Sequence, residues 1–398
     1  MILPTFVINS SLQRLRNRWL VAAGLSVVGL WFGYHYLKDG WGDVWPYAGH
    51  WLMSTGAVSV YLFWKVWQWL PENRRICDTE VSLSTLGMGT ALTLARGIAI
   101  ASVAGFIFSP YPSGNLVWIP AILYALAAIG DALDGLLARR TKHVTTLGVR
   151  LDLEVDALSV LIGSLLAVLY ERLHIWYLAI GFARYLFVLG LWWRTSRGET
   201  VNSLPSSQYR RIIAGFQMGF ITVALCPLVA PVVVKLASVV FAIPTLCGFA
   251  RDWLVVSARL DTGSVSYQRY RRLFFGLVTF WLPQLLKPVV VIAWIGVVVA
   301  LPGDAPTQVL ASALSVWNYP SPSFGALVLV LGVLVAVVGI MTGLASRGCA
   351  VVLLLVLSLN SSAQEFDWIS GVALVSNLGV LILGSGHGFY RSEKREPH

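Results

Sequence analysis

Four aspartates at helical intervals are the residues of this sequence best suited to chemistry. Asp131 and Asp134 are three positions apart, and Asp152 and Asp156 are four apart, so each pair falls on one face of a helix. Only a short, basic and threonine-rich segment separates the two predicted helices, which are therefore expected to be antiparallel neighbours. The spacing predicts that the four carboxylates converge, whereas Glu154 points away from them.

Carboxylates inside apolar helices are expensive, at about 2.5–3.5 kcal/mol each on insertion scales, and are functional by default. A group of them repels itself unless cations or shared protons offset the charge. Oxygen ligands without histidine or cysteine are typical of Mg²⁺ or Mn²⁺. Such cations held by aspartates indicate phosphoryl transfer, because they neutralise phosphate charge. The alternative is a proton or ion pathway through a transporter.

Small residues lie on the same two helix faces as the aspartates. Gly135 and Ala138 follow Asp134, and Gly148 precedes Asp152 by one helical turn. Small side chains allow a bulky ligand to approach the backbone, and this is the favoured interpretation beside four aspartates. Close packing of helices explains small residues equally well when they occur alone.

The helices that carry these residues belong to a membrane protein by composition. The 398 residues are 57% hydrophobic and 12% charged, against about 45–50% and about 25% in soluble domains. A soluble enzyme, a disordered chain, a coiled coil and a nucleic-acid binder are disfavoured. Apolar runs predict an all-α polytopic membrane bundle of about twelve transmembrane helices. The runs are 19–37, 48–70, 88–109, 115–139, 148–170, 174–193, 211–230, 232–250, 273–300, 323–345, 348–362 and 368–385.

Basic residues predict the orientation of these helices. Of the 29 lysines and arginines, 22 lie in one alternate set of loops and tails, and only Lys38, Arg172 and Lys235 lie in the opposite set. Cytoplasmic loops collect such residues, so both termini and the aspartate cluster are expected on the cytoplasmic side of the cytoplasmic membrane. The net charge of +10 then requires no nucleic-acid partner.

Three segments are predicted along the chain. Residues 1–79 form a two-helix membrane extension whose first helix is an uncleaved anchor, since the run lacks a small-residue cleavage site. Residues 80–260 form the six-helix catalytic segment. The polar stretch 258–272 marks the boundary to a four-helix membrane block, 270–398.

The aspartate pattern resembles the signature of the CDP-alcohol phosphotransferase family, also called CDP-alcohol phosphatidyltransferases. The matching run is Asp131-x2-Asp134-Gly135-x2-Ala138-Arg139-x8-Gly148-x3-Asp152-x3-Asp156, which agrees at every position. Upstream, Thr93 and Arg96 resemble the family's Asn-x2-Thr-x2-Arg element, with Thr90 in place of the asparagine. The resemblance covers roughly residues 80–260. Residues 270–398 show a looser resemblance to four-helix DoxX-like membrane modules.

The resemblance implies transfer of a phosphatidyl group from CDP-diacylglycerol to a polar alcohol in the bilayer, with release of CMP. It implies that the four aspartates hold two divalent ions, Mg²⁺ or Mn²⁺, and that Asp156 is also the general base. It further implies a homodimer. Residues implied at the nucleotide and donor site are Thr93, Arg96, Gly135, Ala138, Arg139 and Gly148. Two alternatives remain: transfer from a soluble CDP-alcohol to a lipid acceptor, and a transporter or scaffold with an inactive enzyme core.

The acceptor alcohol is not identified by the sequence. Arg184, inside an apolar run, either pairs with a pocket aspartate or binds an acceptor phosphate. The stretch from Arg210 resembles a degraded Gly-Lys-x-Lys-Thr-x2-Gln element of glycerol-phosphate-using members. Arg211 replaces its first lysine and Gln217 matches, whereas Ile213 and Ala214 depart from it. Phosphatidylglycerolphosphate synthesis is therefore in doubt.

Overall fold

The computed structural model describes residues 3–41, 45–76, 78–140, 144–204, 208–299, 306–316, 319–363 and 366–384, with some side chains within them left undescribed. The chain divides into two compact units. The first comprises Met1–Val188 and Gln217–Pro227, and the second comprises Leu189–Phe216 and Leu228–His398. Each unit has its own helical core.

Helices account for nearly all of the described structure. The first seven are α1 (Leu3–Gly40), α2 (Trp45–Trp69), α3 (Met88–Ala104), α4 (Ile119–Arg140), α5 (Thr146–Leu169), α6 (Leu178–Ser196) and α7 (Gln208–Leu225). The remaining seven are α8 (Pro231–Val256), α9 (Val265–Gly276), α10 (Leu282–Val299), α11 (Pro306–Val316), α12 (Pro322–Thr342), α13 (Ser346–Ala363) and α14 (Trp368–Leu383). Two short antiparallel strands, β1 (Arg74–Arg75) and β2 (Asp78–Ser82), form a hairpin between α2 and α3.

Six described helices are long and apolar enough to cross a membrane, which supports the predicted all-α, multi-pass class. They cover Leu12–Gly40, Met88–Phe108, Gly114–Gly135, Ile175–Ser196, Pro231–Val256 and Pro322–Thr342. Four further apolar helices are shorter, so the predicted count of about twelve is not confirmed. Helix α11 was not predicted, because its 11 residues fall short of the roughly 20 that a span requires.

Helix α3 is central to the first unit, since α2, α4 and α5 all pack against it. A cluster of buried side chains joins α1, α2, α3 and α5 and includes Leu15, Leu62, Leu94 and Val155. The N-terminal helices thus share a core with the helices that carry the aspartates. In a bilayer such packing is stabilised by van der Waals contacts and not by removal of apolar surface from water.

Two polar contacts fix helix ends in this unit. Thr145 caps α5, because its side chain accepts a hydrogen bond from the Gly148 amide at 3.0 Å. Arg172, in the turn after α5, donates to the carbonyls of Ala224 (2.8 Å) and Cys226 (2.6 Å) at the end of α7. Burial lowers the pKa of Arg172, and the two carbonyls offset part of that cost by binding its guanidinium.

In the second unit, α10 packs along α14, and α11, α12 and α13 pack against one another. Helix α9 continues into α10 through a π-helical turn, Leu277–Trp281. Pro288 lies inside α10. This irregular backbone distinguishes the segment 277–288 from the regular helices around it.

Candidate active site

Arg96 of α3 lies among the four aspartates and forms an ion pair with each of them. Nη1 is 2.5 Å from Asp134 Oδ2 and 3.0 Å from Asp152 Oδ1. Nη2 is 2.9 Å from Asp131 Oδ1 and 2.7 Å from Asp156 Oδ1. The structure therefore brings together the two aspartates of α4, the two of α5 and an arginine of a third helix.

The Arg96 side chain is buried and held along its length. Its Nε donates to the Ala127 carbonyl of α4 at 3.1 Å, which leaves the two terminal nitrogens for the carboxylates. A guanidinium has five N–H donors in a rigid planar fork and retains its charge when buried, whereas a lysine offers one ammonium. An arginine at this position is thus suited to bridge carboxylates from two helices.

Asp134 differs from the other three aspartates in exposure. Its side chain is 7% exposed and accepts a hydrogen bond from Thr93 Oγ1 at 3.0 Å as well as from Arg96. The side chains of Asp131, Asp152 and Asp156 are 32–41% exposed. One carboxylate oxygen from each of these three lies within 4.8 Å of the other two. Three aspartates are thus open to a ligand, while Asp134 is held by α3.

The charge of this group is strongly negative. Four carboxylates face one guanidinium among the described ion pairs, so full ionisation of the group gives a net charge of −3. Like charges this close favour the binding of cations. The donor set is entirely oxygen, and hard divalent cations such as Mg²⁺ and Mn²⁺ prefer oxygen ligands.

Gly130, the residue before Asp131, is a site residue that the sequence interpretation missed. A Cβ atom on Gly130 would lie 2.7 Å from Arg96 Cγ and 3.0 Å from Arg96 Cδ. Because Gly130 has no side chain, the aliphatic part of the Arg96 side chain can pass close to the backbone of α4. The sequence alone does not show why a glycine is present in an apolar helix. The reason at Gly130 becomes visible only when α3 and its Arg96 are placed against α4.

We expect Gly130→Ala to displace Arg96 and to lower activity about tenfold, since misplacement of a positioned charge by a few tenths of an ångström weakens all four pairs. The stem of Arg96 has little freedom to yield, because Nε is bonded to Ala127. Gly56→Ala is the matched control, because a Cβ on Gly56 of α2 meets nothing within 4 Å. CMP release, the reaction that the resemblance implies, is measured for the two purified variants, and equal rates would contradict the proposed role of Gly130.

Gly148 lies at a close contact between α3 and α5. A Cβ atom there would lie 2.8 Å from Thr90 Oγ1 of α3 and 3.1 Å from Thr145 Oγ1. The contact favours close approach of α3 and α5, the alternative that the sequence left open for small residues. Thr90, which stands where the family's asparagine is expected, is the side chain that fills this space. The side chains of Ala138 and Arg139 lie outside the described residues.

Glu154 lies on another side of α5, as its position between Asp152 and Asp156 predicts. Its Oε1 accepts a hydrogen bond from the Tyr61 hydroxyl of α2 at 2.5 Å. Glu154 is therefore bonded to α2 of the N-terminal extension. It is not among the carboxylates that form described ion pairs with Arg96.

The residues considered for the acceptor each have contacts of their own among the described residues. Arg184 is half-buried and has no ion pair with a pocket aspartate among the described contacts, so Arg96 is the cation that balances the carboxylates. Arg210 pairs with Asp252 at 3.1 Å. Gln217 is buried and accepts a hydrogen bond from the Tyr177 hydroxyl. The side chain of Arg211 lies outside the described residues.

Comparison with known proteins agrees with this site. Residues 87–244, which include all four aspartates and Arg96, match the family model described as CDP-alcohol phosphatidyltransferase. No solved structure matches the chain significantly.

Several curated bacterial proteins are similar to part of the chain. A CDP-diacylglycerol–glycerol-3-phosphate 3-phosphatidyltransferase of Yersinia enterocolitica is 35% identical over 98 residues, which are 24% of this chain and 50% of that protein. A protein of the same name from Sodalis glossinidius is 33% identical over 98 residues, which are 24% of this chain and 50% of that protein. Another, from Wigglesworthia glossinidia brevipalpis, is 35% identical over 85 residues, which are 21% of this chain and 46% of that protein. The chain thus spans about half the length of these relatives. Residues 87–244 accordingly match the CDP-alcohol phosphatidyltransferase family, which confirms the resemblance predicted from the aspartate pattern.

Proposed function

We propose that the chain is a membrane enzyme that transfers a phosphatidyl group from CDP-diacylglycerol to the hydroxyl of a polar alcohol and releases CMP. The observation that carries the proposal is the group of four carboxylates from α4 and α5 around Arg96, within the segment that matches the family. The names of the similar proteins supply the donor class and the type of group transferred.

The residues present fit the divalent cations that the family implies. Asp131, Asp152 and Asp156 offer oxygens within 4.8 Å of one another and are open enough to be reached. Asp134 adds negative charge beside them. These aspartates would hold Mg²⁺ or Mn²⁺, and such ions, when bound, supply charge neutralisation for a pyrophosphate and for its leaving group.

The side chains of this chain have distinct proposed roles in the transfer. Asp156 accepts the proton of the acceptor hydroxyl, whose oxygen forms a new bond to the phosphatidyl phosphorus of the donor. The bond from that phosphorus to the bridging oxygen breaks, and CMP carries that oxygen away with its electron pair. Arg96 and Thr93 orient the carboxylates, and an aspartate placed in this way contributes as a general base.

We propose the chemical class of the acceptor, which is a small polar alcohol that arrives from the aqueous phase. Glycerol 3-phosphate is the first candidate, because the similar proteins carry it in their names. Against it, Ile213 and Ala214 replace the lysine and threonine of the glycerol-phosphate element. Arg184 is a half-buried cation of the first unit and has no ion pair with the four aspartates among the described contacts, so we assign it to an acceptor phosphate. The cytoplasmic orientation, the second metal ion and the homodimer remain predictions.

The test is CMP release by the purified chain in lipid nanodiscs containing CDP-diacylglycerol, with glycerol 3-phosphate, serine and inositol phosphate supplied in turn. We expect CMP release to require Mg²⁺ or Mn²⁺ and to fall at least about 100-fold when a chelator removes them, because charge stabilisation of this kind contributes several kcal/mol. A parallel reaction with a soluble CDP-alcohol and diacylglycerol tests the opposite assignment of donor and acceptor. Failure of both reactions in a correctly folded chain would contradict the enzyme proposal.

A further inference from the structure

The hairpin formed by β1 and β2 contacts the start of α5. The amide of Ile76 donates to the Val144 carbonyl at 3.2 Å, just before that helix begins. Arg75 of β1 forms an antiparallel bridge with Thr145, the residue that caps α5. The hairpin precedes residues 87–244 in the chain, so a part of the protein outside the family segment is bonded to a helix of the site.

Asn73 holds the base of this hairpin. It is 0% exposed, and its Nδ2 donates to the carbonyls of Leu83 at 3.2 Å and of Thr85 at 2.9 Å. The backbone carbonyl of Asn73 in turn accepts a hydrogen bond from the Leu83 amide at 3.0 Å. Removal of a buried donor leaves its acceptors without a partner, which is costly. Asn73 therefore ties the hairpin firmly to the residues that lead into α3.

The hairpin thus links the beginnings of two helices that carry the site. Helix α3 supplies Thr93 and Arg96, and α5 supplies Asp152 and Asp156. Apolar packing between helices permits small shifts of one helix along the other. Hydrogen bonds are directional, so the contacts of the hairpin define where α5 begins relative to the entry into α3.

The carboxylates of the site give such a restraint a purpose. Helices α4 and α5 both pack along α3, whereas their packing against each other is slight in the described structure. The aspartates of α4 and α5 repel one another, and the single positive charge of Arg96 offsets only part of that repulsion. A contact that holds the start of α5 opposes the separation of the two pairs before a cation binds.

We propose that Asn73 is a positioning residue for the metal site, because through the hairpin it holds α5 where Asp152 and Asp156 face the aspartates of α4. This role rests on the proposed metal-dependent transfer. A site that is correctly arranged only part of the time binds its ligand with an affinity reduced by that fraction. Loss of the hairpin contacts should therefore weaken cation binding, whereas a saturating cation selects the correct arrangement and restores the rate.

The experiment measures Mn²⁺ binding to the purified full chain in lipid nanodiscs by electron paramagnetic resonance, which counts free Mn²⁺ and needs no substrate. We expect Asn73→Ala to raise the Kd for Mn²⁺ about tenfold. The kcat for CMP release at saturating Mn²⁺ should stay within about threefold of wild type. Asn377→Ala is the matched control and should keep the wild-type Kd, because Asn377 is also 0% exposed but has no hydrogen-bond partner in the described structure.

A second pair of variants removes one backbone contact and tests the same role if Asn73→Ala does not fold. Ile76→Pro lacks the N–H that donates to Val144, whereas Ile76→Ala keeps it. Both variants lose the same side chain, which is 55% exposed. We expect the Kd for Mn²⁺ to rise about threefold or more in Ile76→Pro and to be unchanged in Ile76→Ala.

The melting temperature of each variant shows whether it is folded. A wild-type Kd for Mn²⁺ in folded Asn73→Ala or Ile76→Pro would overturn the proposal. A fall in kcat at saturating Mn²⁺ with an unchanged Kd would also overturn it, because a general loss of structure has that result. If wild type binds Mn²⁺ but releases no CMP, the proposed function fails, whereas a raised Kd in the variants would still support the role of Asn73.

Discussion

Replacement of Asp156 by asparagine is expected to lower the rate of CMP release about a thousandfold, within the range of about 10²–10⁴ that a positioned general base contributes. Asparagine has nearly the same shape, and its amide oxygen can still accept the hydrogen bond that Arg96 Nη2 now donates at 2.7 Å. It cannot take a proton from the acceptor hydroxyl. The measurement is kcat for CMP release at saturating Mg²⁺, with the melting temperature recorded on the same preparation.

Glu154→Gln is the matched control for this variant. Glu154 lies between Asp152 and Asp156 on α5, loses the same charge on substitution, and is bonded to Tyr61 away from the cluster. We expect it to retain activity within about twofold of wild type, because a change of this kind away from the reacting groups has little effect on the barrier. An Asp156→Asn enzyme with a tenth or more of wild-type kcat would rule out Asp156 as the base.

The sequence predicts the aspartates well because helical spacing is a local property. Positions three or four apart share a helix face in any fold, so the pairs 131/134 and 152/156 needed no tertiary information. In the structure the two pairs meet through α3, which packs against both α4 and α5. The same argument correctly separated Glu154 from the group.

The role of Arg96 was beyond such reasoning. Its motif placed it at the donor site, but its four ion pairs depend on α3 packing between α4 and α5, which no local pattern specifies. Gly130 follows from the same packing, because its missing side chain matters only once the stem of Arg96 crosses it. The contact of Gly148 with Thr90 likewise depends on the approach of α3 and α5, and the pocket role of Gly148 stays a prediction.

The number of membrane helices is hard to predict from the sequence for a different reason. Hydropathy detects apolar runs but does not specify where a helix begins, ends or changes to a π-helical turn. The predicted run 273–300 includes the end of α9, the turn Leu277–Trp281 and α10. Helix length is decided by turns and packing, and six described helices meet the length of a span by themselves.

Replacement of Arg96 by methionine is expected to lower the free energy of unfolding by about 3–5 kcal/mol in the presence of a chelator, the usual cost of leaving buried charges without their partner. Methionine fills the space of the aliphatic stem but supplies no charge. Asp134, whose side chain is 7% exposed, would then lie beside three other carboxylates with no described cation near it. Thermal or denaturant unfolding in detergent measures the loss.

Arg150→Met provides the matched comparison, because Arg150 also forms an ion pair with a carboxylate, that of Glu72. In this pair the side chains are exposed, Arg150 at 47% and Glu72 at 42%. Its loss should cost at most about 1 kcal/mol, since water screens exposed pairs. Addition of Mn²⁺ should restore part of the stability lost in Arg96→Met, because a cation that binds only the folded state stabilises it and here replaces the missing positive charge. Equal losses in the two variants, or no recovery with Mn²⁺, would contradict the view that Arg96 is held at this position to balance the four aspartates.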